Sequence, residues 1–120
     1  MERDPVAQHL SEEQGKLFRL ARAARARIEA VQGAAVVDET GRTYSAASVV
    51  LPRLALTAVE LAVASAAAAG ARQLTGCVLV AGEPEPLPTD SGVFADLAAH
   101  GAELVVCAPD GTVVARWTSP

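Results

Sequence analysis

The alternation of apolar and polar residues predicts a helix in the first quarter of the chain. Within SEEQGKLFRLARAARARIEAVQ, which begins at Ser11, apolar residues recur at helical spacing. Ser11 and Gln14 have the spacing of a capping box, which predicts the start of the helix. The predicted apolar face contains Leu17, Leu20, Ala21, Ala24, Ile28 and Val31. The arginines of this segment lie on the opposite side.

The next third of the chain predicts a hairpin followed by a second helix. GAAVVD and TYSAASVV read as strands on either side of ETGR, where Gly41 suits a tight turn. Pro52 then interrupts the chain. The alanine-rich segment that follows predicts a helix from about Thr57 to Gly70, because glycine favours a helix C-terminus.

The last third predicts a strand, a loop, a helix and two more strands. LTGCVLVAG is almost continuously apolar, which is typical of a strand covered on both faces. EPEPLP contains three prolines and predicts a loop. A short helix is predicted from about Thr89 to His100, ended by Gly101. AELVVCA and TVVARW predict antiparallel strands around PDG.

This element order favours an α/β fold with one mixed five-stranded sheet and helices packed on its faces. A chain of 120 residues suits a single domain. We expect residues 1–10 to form a flexible leader and residues 11–120 to form the domain.

Composition restricts the kinds of partner. Hydrophobic residues make up 51% of the chain but aromatic residues only 3%, so stacking surfaces for nucleic-acid bases are scarce. The net charge of −4 disfavours general binding to nucleic acids or anionic membranes. We find no membrane span or secretory signal and expect a cytoplasmic protein. Cys77 and Cys107 lie in apolar strands and are expected to be reduced, although neighbouring strands would allow a disulfide.

The segment GAAVVDETGRTY, placed after the first helix, resembles the cytidine deaminase family, whose members have a similar VGAA strand and DGRxY hairpin. The element order resembles that family along nearly the whole chain and implies a three-layer α/β/α fold. In that family, a CxE or HxE motif opens the second helix and PCxxC opens the third. These three ligands hold a zinc ion whose water attacks cytosine, and the glutamate transfers protons.

The resemblance places Glu60 at the position of the proton-transferring glutamate, but the ligand positions differ from the family pattern. Ala58, Thr89 and Gly92 stand where the three zinc ligands are expected. Because catalytic zinc needs three protein ligands, we expect zinc to be absent, and no other cofactor is indicated.

The substrate-binding positions differ as well. The family's NxE segment corresponds to Ser48, Val49 and Val50, and its sugar-packing phenylalanine corresponds to Ala30. Valine cannot hydrogen-bond a ribose hydroxyl as a glutamate does. The resemblance therefore implies that nucleoside recognition has been lost together with catalysis, and the sequence does not identify another small-molecule ligand.

Glu60 also has a purely structural interpretation. Thr57 and Glu60 have capping-box spacing, in which each side chain bonds the other residue's backbone amide. Thr89, Asp90 and Ser91 are likewise suited to helix N-caps. The sequence leaves open whether Glu60 is a helix cap or a remnant of a site.

Two surfaces suggest partners. Arg19, Arg22 and Arg25 on the first helix could contact phosphates, or could form an ordinary solvated face. The alanine-rich helix is apolar nearly all round, and the resemblance implies a homo-oligomer, a dimer or a tetramer, formed through it.

Three hypotheses follow. The first is a catalytically inactive protein of the cytidine deaminase fold with a self-assembly, binding or scaffolding role. The second is a cytidine deaminase-like hydrolase with a non-standard site. The third is an RNA-associated module that uses the arginine stripe.

Overall fold

The helices and strands follow the order that the sequence predicts, with two additional short strands. The computed structural model describes residues 9–84 and 90–120. Its elements are α1 (Glu12–Arg27), β1 (Gln32–Asp38), β2 (Thr43–Ala47), β3 (Val49–Val50), β4 (Ala55–Leu56), α2 (Ala58–Ala68), β5 (Leu74–Ala81), α3 (Ser91–Ala95), β6 (Ala98–Cys107) and β7 (Val113–Thr118). The predicted leader lies almost wholly outside the described residues.

Five strands form one mixed sheet in the order β2-β1-β5-β6-β7. Strand β1 is antiparallel to both β2 and β5, β5 is parallel to β6, and β6 is antiparallel to β7. The parallel pair is joined through α3, as expected for a crossover connection. The predicted α/β fold with a mixed five-stranded sheet is therefore confirmed.

Helices cover both faces of the sheet and divide the core into two clusters. On one face, α1 packs Leu17, Phe18 and Ala21 against the sheet. On the other face, α2 and α3 cover a cluster that includes Val59 and Phe94. Strands β1 and β5 are buried along nearly their whole length because they lie between these two layers.

The α1 layer lies close to the sheet because β1 has a glycine where the helix crosses it. A Cβ atom on Gly33 would lie 2.1 Å from the carbonyl oxygen of Ala21 and 2.8 Å from the Cβ of Arg25. Heavy atoms do not approach one another so closely, so any side chain at this position would force the helix away from β1.

The turn between β1 and β2 is organised around one buried carboxylate. Asp38 Oδ1 accepts hydrogen bonds from the Thr40 hydroxyl at 2.7 Å and from the backbone amides of Thr40 and Arg42. Its Oδ2 accepts a bond from the Tyr44 hydroxyl at 3.1 Å. Gly41, at φ 88°, supplies the left-handed backbone of the turn. The predicted hairpin is confirmed, and its polar residues stabilise it locally.

The predicted apolar face of the first helix is wrong at its C-terminal end. Ile28 and Val31 are 61% and 72% exposed instead of buried. The helix ends at Arg27, and Glu29 adopts a positive φ of 51°, so the chain changes direction before Val31. Helical spacing no longer relates Val31 to the buried face.

The predicted third helix is wrong in its second half. Strand β6 begins at Ala98, so His100 and Gly101 belong to a strand. Sheet pairing overrides the helix-favouring sequence here, because the Gly101 amide donates to the Ser119 carbonyl. The predicted start of the helix at Thr89 lies outside the described residues.

The predicted strand TYSAASVV is divided at Ser48. The Ser48 amide donates to the Gln32 carbonyl at the end of the main sheet. Val49 and Val50 then pair with β4 in a separate two-stranded sheet, the β3–β4 hairpin. This hairpin leads directly into α2.

The two cysteines do not form a disulfide. Strands β5 and β6 are neighbours, but Val80, three residues after Cys77, is the register partner of Cys107. An odd offset places the two thiols on opposite faces of the sheet, each in a different core cluster. The disulfide alternative is therefore wrong, and both cysteines are free and buried.

In the described ranges no helix is long and apolar enough to cross a membrane.

Candidate functional site

A pocket of about 300 Å³ opens beside the N-terminus of α2. The start of β1 forms one wall, the β3–β4 hairpin forms another, and the first turn of α2 closes the end. Its lining residues are Val31, Gln32, Ser48, Val49, Val50, Ala55, Leu56, Thr57 and Glu60. Most of these side chains are apolar, and the polar groups are confined to the side formed by β1, Ser48 and α2.

The polar groups of the pocket are held by the backbone around them. The Gln32 side chain accepts a hydrogen bond through Oε1 from the Ala58 amide at 3.4 Å. The Ser48 hydroxyl accepts one from the Gln32 amide at 3.0 Å and donates to the Gln32 carbonyl at 3.4 Å. Ser48 therefore fastens the end of β1 and has little capacity left for a ligand.

Glu60 forms the capping box that its spacing predicts. Its Oε1 accepts a hydrogen bond from the Thr57 amide at 2.8 Å, and its own amide donates to the Thr57 hydroxyl at 3.1 Å. These bonds satisfy two backbone donors at the N-terminus of α2. The capping interpretation of Glu60 is thus confirmed, while a role in chemistry stays a separate prediction.

Of the three residues that the resemblance assigns to ligand positions, the two that the structure describes carry no side-chain atom that binds a metal. Ala58 is fully buried in the first turn of α2, and Gly92 is exposed in α3. Thr89 lies outside the described residues. In residues 9–84 and 90–120, no three His, Cys, Asp or Glu side chains are close enough together to hold a metal ion. These residues do not fit a zinc site of the family type.

The two thiols are far from reactive. Burial, and secondarily the negative charge of Asp90, raises the pKa of Cys77 far above its usual range. Burial raises the pKa of Cys107 to about 11. Because the thiolate is the nucleophile and the metal ligand, neither cysteine is prepared for either role at neutral pH.

Asp90, the N-cap residue of α3, is buried but makes no side-chain capping bond.

The substrate positions inferred from the resemblance surround the same pocket. Ser48 and Val50 line it together with Glu60, and Val50 is 84% exposed. Ala30 lies beside the pocket, next to Val31, and its amide donates to the Arg25 carbonyl. The structure thus brings Ser48, Val50 and Glu60 together in one pocket, whereas Ala30 is not among the lining residues.

The arginine stripe is less continuous than the sequence predicts. Arg19 and Arg22 are exposed, and the Arg22 guanidinium lies 5.1 Å from the centre of the Phe18 ring. Arg25 folds back, and its Nε donates to the Val31 carbonyl at 3.3 Å. Arg25 therefore braces the end of α1 instead of extending a phosphate-binding surface.

Sequence reasoning missed Gln32 as a site residue. A polar residue directly before the buried run GAAVVD was the available signal, since polar residues at the end of a buried strand often face a site. The aliphatic walls from β3 and β4 gave no such signal, because only the fold brings them opposite Val31.

Comparison with known proteins agrees with this fold. The family model described as cytidine deaminase-like matches residues 10–111. The chain therefore belongs to the cytidine deaminase-like family. Comparison with curated protein sequences gave no match.

Solved structures with the same fold include two bacterial cytidine deaminases. The enzyme from Burkholderia pseudomallei is 24% identical over 91% of this chain and 93% of its own, with a TM-score of 0.73. The enzyme from Mycobacterium leprae is 22% identical over 87% of this chain and 91% of its own, with a TM-score of 0.63. These similarities establish the shared fold.

Proposed function

We propose that this protein is a catalytically inactive member of the cytidine deaminase-like family that has a binding or scaffolding role and assembles with itself. One observation carries the proposal: Ala58 and Gly92, which the resemblance assigns to two of the three ligand positions, have no side-chain atom that can bind a metal. Without a metal-activated water, the family's attack on cytosine has no nucleophile. Membership of the family does not by itself bring its activity.

The pocket supports the same proposal from the side of substrate recognition. A ribose needs hydrogen-bonding groups, yet Val50 offers none and the Ser48 hydroxyl is engaged with Gln32. The remaining walls are aliphatic. Such a pocket is poorly suited to a nucleoside.

A cytoplasmic location belongs to this proposal and is supported by two free, buried thiols.

The decisive experiment measures zinc and deamination together. Protein grown with added zinc and purified without chelator is expected to contain far less than one zinc per chain and to leave cytidine unchanged. The matched variant carries Ala58→Cys, Thr89→Cys and Gly92→Cys, which restore the family's ligand types. If the ligand positions are assigned correctly, this variant gains about one zinc per chain.

Two results would contradict the proposal. Stoichiometric zinc in the unmodified protein would show that other residues hold the metal. Deamination of cytidine that disappears in Glu60→Ala would support the hypothesis of an enzyme with a non-standard site. Ultraviolet absorbance follows the conversion of cytidine to uridine directly.

Self-assembly is supported by exposed apolar residues at the hairpin tip, which flank Arg53, and by small residues on α2. Val50, Leu51 and Leu54 are between 50% and 84% exposed at the tip of the β3–β4 hairpin. Ala64 and Ala68 leave the outer face of α2 small and nonpolar. Clustered exposed apolar residues mark interaction surfaces, and small side chains allow close approach of a second copy.

Light scattering during size-exclusion chromatography tests this assembly. The unmodified protein is expected to elute as a dimer or tetramer. Leu51→Glu combined with Leu54→Glu is expected to yield monomers, because the charges would be buried in the interface. Val114→Glu, at an exposed position on β7, is the control and leaves the mass unchanged. A monomeric unmodified protein would exclude the self-assembly part of the proposal.

RNA association is the second candidate, supported by cations on α1 that form no ion pair with an acid in residues 9–84 or 90–120. Arg116 and Glu103 form the only ion pair among the described residues, with 3.3 Å between Nη1 and Oε1. Lys16, Arg19 and Arg27 thus remain available to phosphates. RNA binding that weakens steeply with salt and with Arg19→Ala plus Arg22→Ala would support this candidate. Absence of binding at low salt would exclude it.

A further inference from the structure

The pocket beside α2 has the dimensions of a small-molecule site. Its volume of about 300 Å³ lies at the lower end of the range for ligand pockets. Five of its nine lining residues are aliphatic: Val31, Val49, Val50, Ala55 and Leu56. A ligand of this size would gain most of its affinity from apolar contacts and its orientation from a few polar groups.

The first orienting group is the Gln32 amide, whose two ends are distinguished by one hydrogen bond. Oε1 accepts the hydrogen bond from the Ala58 amide, so the side chain presents Nε2 as its free group. Among the described residues, Nε2 donates to no acceptor. Gln32 therefore offers the pocket a hydrogen-bond donor.

The second orienting group is the Glu60 carboxylate. Its Oε1 accepts the capping bond from the Thr57 amide, whereas Oε2 accepts no hydrogen bond from any described residue. A carboxylate oxygen acts only as an acceptor when ionised. The pocket thus has one free donor and one free acceptor, on side chains that both line it.

We propose that this pocket binds a small uncharged molecule in which an apolar body carries a carboxamide edge. A carboxamide has a carbonyl oxygen to accept from Gln32 and an N–H group to donate to Glu60. An amidinium has no acceptor, and a carboxylate has no donor and would be repelled by Glu60. This inference rests on the proposed binding role and names its ligand class.

A series of probes with one common ring tests the carboxamide edge. Benzamide, benzamidine and benzoate share the same apolar body and differ in the group that would meet Gln32 and Glu60. Each is titrated into ¹⁵N-labelled protein and followed by amide chemical shifts, with cytidine as a fourth probe. Benzamide is expected to shift residues of the pocket and to bind about fivefold or more tightly than benzoate and cytidine, as one additional hydrogen bond implies. Benzamidine lacks the acceptor for Gln32 but pairs its charge with Glu60, so its binding is expected to fall much more than that of benzamide when Glu60 is changed to Gln.

Glu60→Gln is the informative variant because it keeps the capping bond through its side-chain oxygen. The free atom then becomes an NH₂ donor, so benzamide is expected to weaken about fivefold while benzoate gains. Glu12→Gln, in the first turn of α1, removes the same charge away from the pocket and serves as the control. Its benzamide affinity stays unchanged.

The inference would be overturned if benzamide shifted no pocket residue up to its solubility limit, or if benzoate or cytidine bound more tightly. It would also fail if Glu60→Gln and Glu12→Gln behaved alike. Zinc content and cytidine turnover are measured on the same samples. Failure of the carboxamide preference in metal-free, inactive protein rejects this inference alone, whereas zinc with turnover rejects the proposed function.

Discussion

Thr57 and Glu60 form one residue pair that serves local structure and also faces the candidate site. Each side chain satisfies a backbone amide at the start of α2, and both also line the pocket. A residue retained for capping remains in place whether or not the site is catalytic. This explains a lone acid in an otherwise apolar helix.

Removing the cap is expected to destabilise the domain. Thr57→Ala deletes the hydroxyl that accepts the Glu60 amide, and such changes cost about 1 kcal/mol of unfolding free energy. Urea denaturation followed by circular dichroism measures the difference. Thr57→Ser keeps the hydroxyl and should retain most of the stability. Equal stability of the alanine variant would show that the cap contributes nothing.

Asp38 makes a pH-dependent contribution to stability. The Thr40 hydroxyl first, then the amides of Thr40 and Arg42 and the Tyr44 hydroxyl, lower the pKa of Asp38 against the opposing effect of burial. A lowered folded pKa means that the native state holds the proton less tightly than the unfolded chain. This stabilisation is therefore present above the unfolded value, about 3.9, and is lost as the pH falls through the folded pKa.

Comparison with Asp38→Asn tests whether the ionised Asp38 carboxylate stabilises the folded state. The unmodified protein is expected to melt at a higher temperature than the variant near neutral pH, and the difference should shrink towards zero at about pH 2. Melting is followed by circular dichroism at several pH values. A difference that is constant with pH would mean that the carboxylate charge is not involved.

At the scale of elements, the contact between α1 and β1 depends on Gly33. A methyl group there would collide with the Ala21 carbonyl and would separate the helix from the sheet. Gly33→Ala is expected to cost about 3 kcal/mol or more, at the upper end of overpacking effects. Gly92→Ala adds the same methyl group where nothing lies within 4 Å, and should be neutral or slightly stabilising. Urea denaturation of both variants distinguishes a steric clash at Gly33 from an effect that any glycine-to-alanine change would have.

Local signals in the sequence were sufficient for the long elements. The Ser11 and Thr57 caps, the periodicity of α1 and the apolar runs of β1 and β5 predict the sheet and its helices. Hydrogen-bonded pairing between strands determined the segments where the structure differs from the prediction. Ala98 and Ala99 favour a helix, yet hydrogen bonds to neighbouring strands place residues 98–101 in β6.

The site was predictable only in part for a related reason. The resemblance led to Ser48, Val50 and Glu60, which do line one pocket. Gln32 and the aliphatic walls could not be recognised, because the division of TYSAASVV at Ser48 sends β3 away from the main sheet. That departure depends on hydrogen bonds between Ser48 and Gln32, which are distant in sequence.

At the scale of the whole molecule, the pocket and the core are separate. The two buried clusters contain neither Gln32 nor Glu60, and the pocket lies at the margin where the hairpin joins α2. A substitution at a pocket residue outside the Thr57–Glu60 cap therefore changes no member of either buried cluster. A family fold can in this way be retained while the residues of its site diverge.

The placement of Cys77 and Cys107 on opposite faces gives each helical layer its own chemical reporter. In Cys77→Ala protein, alkylation would detect departure of α1 from the sheet, and in Cys107→Ala protein it would detect opening of the α2 and α3 layer. We expect Cys107 to react first at pH 8, since its pKa is raised less and one helix covers it. Pulsed alkylation with mass spectrometry measures both rates. Equal rates that match global unfolding would mean that the two layers separate from the sheet only together.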